Sequence, residues 1–283
     1  MIFILISVCF SVFVSVLLKL AKRYDIDNRQ AIAWNYSIAG LLTWIIYRPE
    51  IPSLSENIVP VYVMLGILLP TLFVILALSI RYTGIVRTDI AQRLSLFIPV
   101  LASFLIFNEE QSVMKIIGIS IAFLAIIFSI PWQKDTDAKK NFWIYPVLVF
   151  IGMGIIDTLF KQIAKTTTIP FTSSLLLVFI IAFVLSFSYL LYLYFFRKLK
   201  FTLINLICGW ILGIANFGNI LFYMKAHQDL AKQPSLVFST MNIGVILLGS
   251  AVGVFIFREK LSRLNYAGIL FALVSILFLY YAQ

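Results

Sequence analysis

Ten apolar runs, each about 20 residues long, follow one another with almost nothing between them. They occupy 2–20, 30–47, 58–80, 87–107, 113–131, 142–163, 171–196, 201–226, 234–257 and 263–282. A hydrocarbon core of roughly 30 Å needs about 20 such residues per helix, so each run is long enough to cross a bilayer. Alternating strand patterns are absent, and no stretch is left over for a soluble domain. Composition closes the alternative. Hydrophobic residues make up 62% of the 283 and charged residues 12%, where soluble domains run near half and about a quarter. The expected fold class is an all-α membrane protein of ten transmembrane helices. The first run, MIFILISVCFSVFVSVLLKLAKR, has no basic leader and no small-residue cleavage pattern, so it reads as a retained helix.

The chain repeats itself. FNEEQSVMKIIGISIAFLAIIFSIP begins at Phe107 and FREKLSRLNYAGILFALVSILFLYY at Phe257. A shift of 150 residues aligns them without a gap: Phe107 on Phe257, Glu109 on Glu259, Ser112 on Ser262, Gly118 on Gly268. The polar linker WQKDTDAKKN at 132–141 divides the chain into a first five-helix repeat, 1–132, and a second, 141–283. Five is odd, so the second half is expected to enter the membrane from the opposite side, giving an inverted repeat. Such a pair offers a central site two near-equivalent ways to open. The serines are placed to cap the helices that follow them. The glycines allow close helix approach. The acidic turn is expected to be scaffold. A GxxxG at Gly249 and Gly253 is expected to serve internal packing.

Ten short-looped spans, the five-plus-five duplication and the twice-used acidic turn before a glycine-bearing apolar helix resemble the drug/metabolite transporter superfamily, in its EamA-like ten-helix branch. ALSIRYTGIVRTDIAQRLSLFIPVL, from Ala77, is similar to that family's alanine, short turn and helix with a central proline, here Pro99. The resemblance covers nearly the whole chain. It implies a secondary transporter, multi-pass in the cell (inner) membrane, and both termini inside. Counting Lys and Arg gives the opposite orientation: odd-numbered loops carry 15 and even-numbered loops 6, which puts the odd loops in the cytoplasm.

The net charge of +10 sits in short loops, where it reads as topology signal and headgroup contact and not as a nucleic-acid surface. The expected partners are a small-molecule substrate and the lipid bilayer, with no nucleic acid, the protein being a monomer or homodimer. Cys9 and Cys208 lie inside apolar runs, which is neither a disulfide framework nor a metal spacing. No cofactor and no metal are expected.

Polar side chains at membrane depth are costly and become candidates for function. Arg93 lies in the fourth run with Asp89 four residues earlier. The pair is either an ion pair at the helix mouth, with Arg93 snorkelling, or a cavity cation for an anionic solute, held ready by Asp89. Asp157 and Lys161 repeat that spacing in the sixth run. Asp157 is a proton-exchange candidate or the partner of Lys161, and Lys161 reads as an interfacial snorkeler. Asn35, Asn216, Asn219 and Asn242 either join helices or coordinate a polar solute. Arg93 and Asn242, 149 residues apart, can face each other across the repeat axis. Trp34 and Tyr223 are candidate aromatic walls. His227 reads as a solvated loop residue. The leading function is a secondary transporter of a small polar metabolite, working by alternating access. An integral membrane enzyme would need clustered nucleophiles, bases or metal ligands, which the chain lacks. A structural or sensory membrane protein would need neither buried charges nor a repeat.

Overall fold

The computed structural model describes residues 1–24, 26–50, 59–83, 85–129, 142–165, 169–258 and 262–281. Among them the chain forms helices and no strand: α1 (Ile2–Arg23), α2 (Asn28–Tyr47), α3 (Val59–Thr83), α4 (Ile85–Leu94), α5 (Phe97–Leu105), α6 (Val113–Ser129), α7 (Ile144–Lys165), α8 (Phe171–Arg197), α9 (Leu203–Asp229), α10 (Pro234–Phe255) and α11 (Arg263–Tyr281). Nine apolar runs each become one helix. The run at 87–107 becomes two. Pro99 has no amide hydrogen for the carbonyl of Ser95, and its ring crowds that carbonyl. The amide of Ile98 bonds to Ser95 instead, at 3.0 Å, in a tighter turn that separates α4 from α5.

The spans are not equivalent. α3 and α7 to α11 are each long and apolar enough to cross a membrane. α1, the α4–α5 pair and α6 contribute shorter apolar stretches. α2 is 20 residues long, but its first half carries Asn28, Arg29, Gln30 and Asn35. It is shielded from lipid on one face by α8 and α9. Elsewhere large apolar side chains point outward, among them Leu5, Phe97, Leu203 and Leu270, each more than half exposed. A surface of that kind identifies lipid as the solvent, and the chain is a membrane protein.

Close helix approach occurs where glycine removes a Cβ. A Cβ on Gly213 of α9 would lie 2.5 Å from the carbonyl oxygen of Asn35 on α2, and one on Gly209 would lie 2.8 Å from that of Ala31. These two glycines, four apart, are the GxxxG that packs helices. Gly249, expected in that role, has no atom within 4 Å of where its Cβ would stand.

The helix pairings exchange under the 150-residue shift. α3 packs on α7 and α8, and correspondingly α9 packs on α1 and α2. α1 packs on α10, as α7 does on α4 and α5, while α6 with α11 and α2 with α8 pair across the two halves. Backbone geometry follows the same shift. The non-glycine residues of positive φ among the described ones are Arg48 (41°) and Lys198 (54°), and Asn108 (53°) and Arg258 (55°). Each pair is 150 residues apart. After Asn108, the amide of Lys115 donates to the Ser112 hydroxyl at 3.2 Å, and after Arg258 that of Asn265 donates to Ser262, also at 3.2 Å. Both serines cap as expected. Gly118 also meets its neighbour: its carbonyl accepts from Ser275 of α11 at 2.7 Å. Glu259 lies outside the described residues.

Candidate functional site

A cavity of about 370 Å³ opens among α1, α4, α7, α9 and α10. α1 supplies Ser11 and Ser15. The end of α4 and its turn supply Gln92, Arg93 and Ser95, so the break made by Pro99 borders the cavity. α7 supplies Met153, Asp157 and Phe160, about one turn apart. α9 supplies Asn219, Ile220 and Tyr223, and α10 supplies Met241, Asn242 and Val245. Polar residues from five helices thus converge where lipid-facing helices would carry none.

Five residues singled out in the sequence meet here: Arg93, Asp157, Asn219, Tyr223 and Asn242. The Tyr223 hydroxyl donates to Asp157 Oδ1 at 3.3 Å. Asn219 is fixed to α1 by the Ser7 hydroxyl, which lies 2.9 Å from both its backbone and its side-chain oxygen. The Asn242 amide donates to the carbonyl of Phe238 one turn back, at 3.1 Å. Asp89 is on α4, and its side chain lies outside the described part of the structure.

Other candidates are elsewhere. Asn35 is 2% exposed, against Gly213 in the packing of α2 on α9. Trp34 meets Phe187 of α8 edge-on at 5.5 Å. Asn216, one turn from Asn219, is not among the lining residues. Lys161 is neither a snorkeler nor the partner of Asp157. It is 1% exposed, and its ammonium donates to the carbonyls of His227 (3.2 Å) and Ala231 (3.1 Å), capping the end of α9. His227 is not solvated. It is fully buried, its ring 4.7 Å from those of both Tyr223 and Phe238. Sequence reasoning missed Ser11, Ser15, Gln92 and Ser95 because single hydroxyls and amides in apolar helices carry no spacing signal. His227 had one: it lies four residues after Tyr223, on the same face of α9.

Toward Glu109, buried aromatic side chains pack behind the cavity. Phe160 and Tyr223 line the cavity, with ring centres 6.4 Å apart. His227 and Phe238 fill the layer beyond and have no exposed surface. Glu109 lies at the same end. Its carboxylate accepts from the Ser235 amide at 2.8 Å and hydroxyl at 2.6 Å. It also pairs with the Lys115 ammonium at 2.9 Å.

Residues 1–130 match the model of the EamA-like transporter family; the match ends just past α6. An uncharacterized protein of Haemophilus influenzae is 42% identical, over 98% of this chain and 97% of its own length. A crystal structure of 12% identity covers 99% of both chains with a TM-score of 0.75, a likeness of fold alone.

Proposed function

The chain belongs to the EamA-like transporter family, and from that premise we propose that it is a secondary transporter that carries a small polar metabolite across the cell (inner) membrane by alternating access. The observation that carries this reading is the cavity. It lies among five helices and is lined by Arg93, Asp157 and neutral amides and hydroxyls, with buried rings of His227 and Phe238 packed beside Tyr223 of its wall. A cation, a carboxylate and several amides suit a solute that must shed water and regain hydrogen bonds. Arg93 receives the solute's anionic group. Asn219 and Asn242 meet its neutral polar atoms.

The paired backbone turns and the exchange of helix pairings support two five-helix units, 1–132 and 141–283, in inverted relation. In that arrangement one closed end and one open end are two forms of the same contact set. The protein works as a monomer or homodimer in the bilayer.

Asp157 and Tyr223 form the proton site in this reading. Thermal stabilisation by a panel of small metabolites identifies a ligand of the native state. Counterflow of that ligand in sealed vesicles then tests transport. Asp157→Asn keeps the shape and removes the titration, so proton-driven accumulation stops while exchange continues. Counterflow absent for every stabilising ligand removes the transport reading.

A second reading is favoured by the presence of Arg93 and Asp157 on one wall set. A dipolar solute would place its carboxylate on Arg93 and its ammonium on Asp157. In that case Asp157→Asn abolishes exchange of dipolar solutes while exchange of simple anions survives.

A further inference from the structure

The acidic turn was expected to be scaffold, and its carboxylate does hold a helix start far along the chain. Glu109 is 6% exposed and stands in the turn after α5, its own amide bonded to the Ser103 carbonyl at 3.0 Å. Its two oxygens take the amide and hydroxyl of Ser235, 126 residues away. Ser235 is in the first turn of α10, whose own N-cap, Gln233, makes no side-chain cap. The first turn of a helix presents amide hydrogens without helical partners, and an anion satisfies both their hydrogen bonds and the local dipole. Glu109 therefore caps α10 from the other half of the chain. Lys115 of α6 binds the same carboxylate and also donates to the Glu110 carbonyl at 3.0 Å. Beside it Lys161 of α7 holds the carbonyls that end α9. One buried set of ions thus gathers the end of α5, the starts of α6 and α10, and the ends of α7 and α9.

Three of those helices, α7, α9 and α10, line the cavity. Phe238, in the buried aromatic layer, is one turn from Ser235 on α10. Parting Phe238 from His227, whose rings lie 4.7 Å apart, would move the start of α10 away from the α5–α6 turn. We propose that Glu109 is the latch of this gate: its bonds to Ser235 hold the closed end shut, and their release is the step that opens the cavity to the Glu109 side. The contacts suit a reversible bond. They cross between halves, are few, and end on a helix terminus that can be capped by water once it moves. The proposal takes its meaning from the transport reading, but its test needs no transported solute.

A reporter is placed in the cavity by Val245→Cys in a background with Cys9→Ser and Cys208→Ser. A membrane-impermeant thiol reagent is then applied separately to each face of sealed vesicles. With Glu109 intact, the reporter reacts from the face opposite Glu109 far faster than from the Glu109 face. In Glu109→Ala, reaction from the Glu109 face rises by about tenfold or more, the factor expected from losing hydrogen bonds to a charged group. Should that variant fail to fold, judged by gel filtration in detergent, Glu109→Gln carries the test. It keeps the size of the side chain, removes its charge and leaves one of its two acceptor oxygens. Ser235→Ala, which keeps the amide bond, falls between. A reporter already reactive from the Glu109 face in the parent, or unchanged reactivity in the folded variants, overturns the latch. Either result leaves the transport reading standing, since that reading rests on counterflow by the parent protein.

Discussion

Lys161 and Arg93, both basic and both inside apolar runs, stand in different surroundings. Lys161 is surrounded by protein and spends its donors on the last carbonyls of α9. Lys161→Met leaves those carbonyls short of a partner, at a cost of about 1–3 kcal/mol. A clear fall in melting temperature in detergent is expected, and an unchanged value would return Lys161 to the interface. Arg93 borders a cavity and is only half-buried. Arg93→Ala should therefore leave the melting temperature nearly as it was and abolish counterflow. Wild-type kinetics in that variant would show an arginine that only snorkels. Asp27 precedes α2, outside the apolar runs. Burial pushes its carboxyl up, but the Arg29 guanidinium, at 2.8 Å, and the Arg29 amide hold it below the usual range. A lowered folded value means that its stabilisation is present above the unfolded value of about 3.9 and is lost as pH falls through the folded one. Asp27→Asn should remove that part of the acid-side slope in a melting series, and an identical slope would exclude it.

Helices pack here by what they omit as much as by what they present. α9 approaches α2 through Gly209 and Gly213, so backbone proximity helps to hold the more polar α2 in place. Gly213→Ala must push Asn35 or shift a helix, costing about 1–3 kcal/mol by overpacking. Gly249→Ala meets open space, and the helical preference for alanine over glycine, about 0.5–1 kcal/mol, then acts alone. Melting temperatures should move in opposite directions for the two substitutions; a fall in both would place Gly249 in a contact. The α4–α5 break is an element of the same kind. It is written by Pro99, and it sets Ser95 beside the cavity.

At the scale of the molecule, the 150-residue shift relates helix pairings, left-handed turns and serine caps alike. An inverted arrangement has a plain consequence for topology. Cysteines introduced at 52–55 and at 202–203 should label from opposite faces of the membrane. Cysteines at 136 and 200 should label from the same face, and a split between those two would break the ten-span count.

The sequence alone determined that this chain lives in lipid, is helical, and uses a motif twice. Those properties rest on local quantities: run length, composition, and residue types at a fixed offset. It also marked Arg93, Asp157, Asn219, Tyr223 and Asn242, because any polar group inside an apolar run is conspicuous. Tertiary structure alone decided which polar groups share a space. Asn35 and Asn219 look alike in sequence, yet one is buried against a glycine and the other borders a cavity. Lys161 read as a snorkeler, and what Glu109 binds went unread, because their partners, the end of α9 and Ser235, are 66 or more and 126 residues away. A helix terminus seeks its cap through space, and no periodicity along the chain records where that cap comes from.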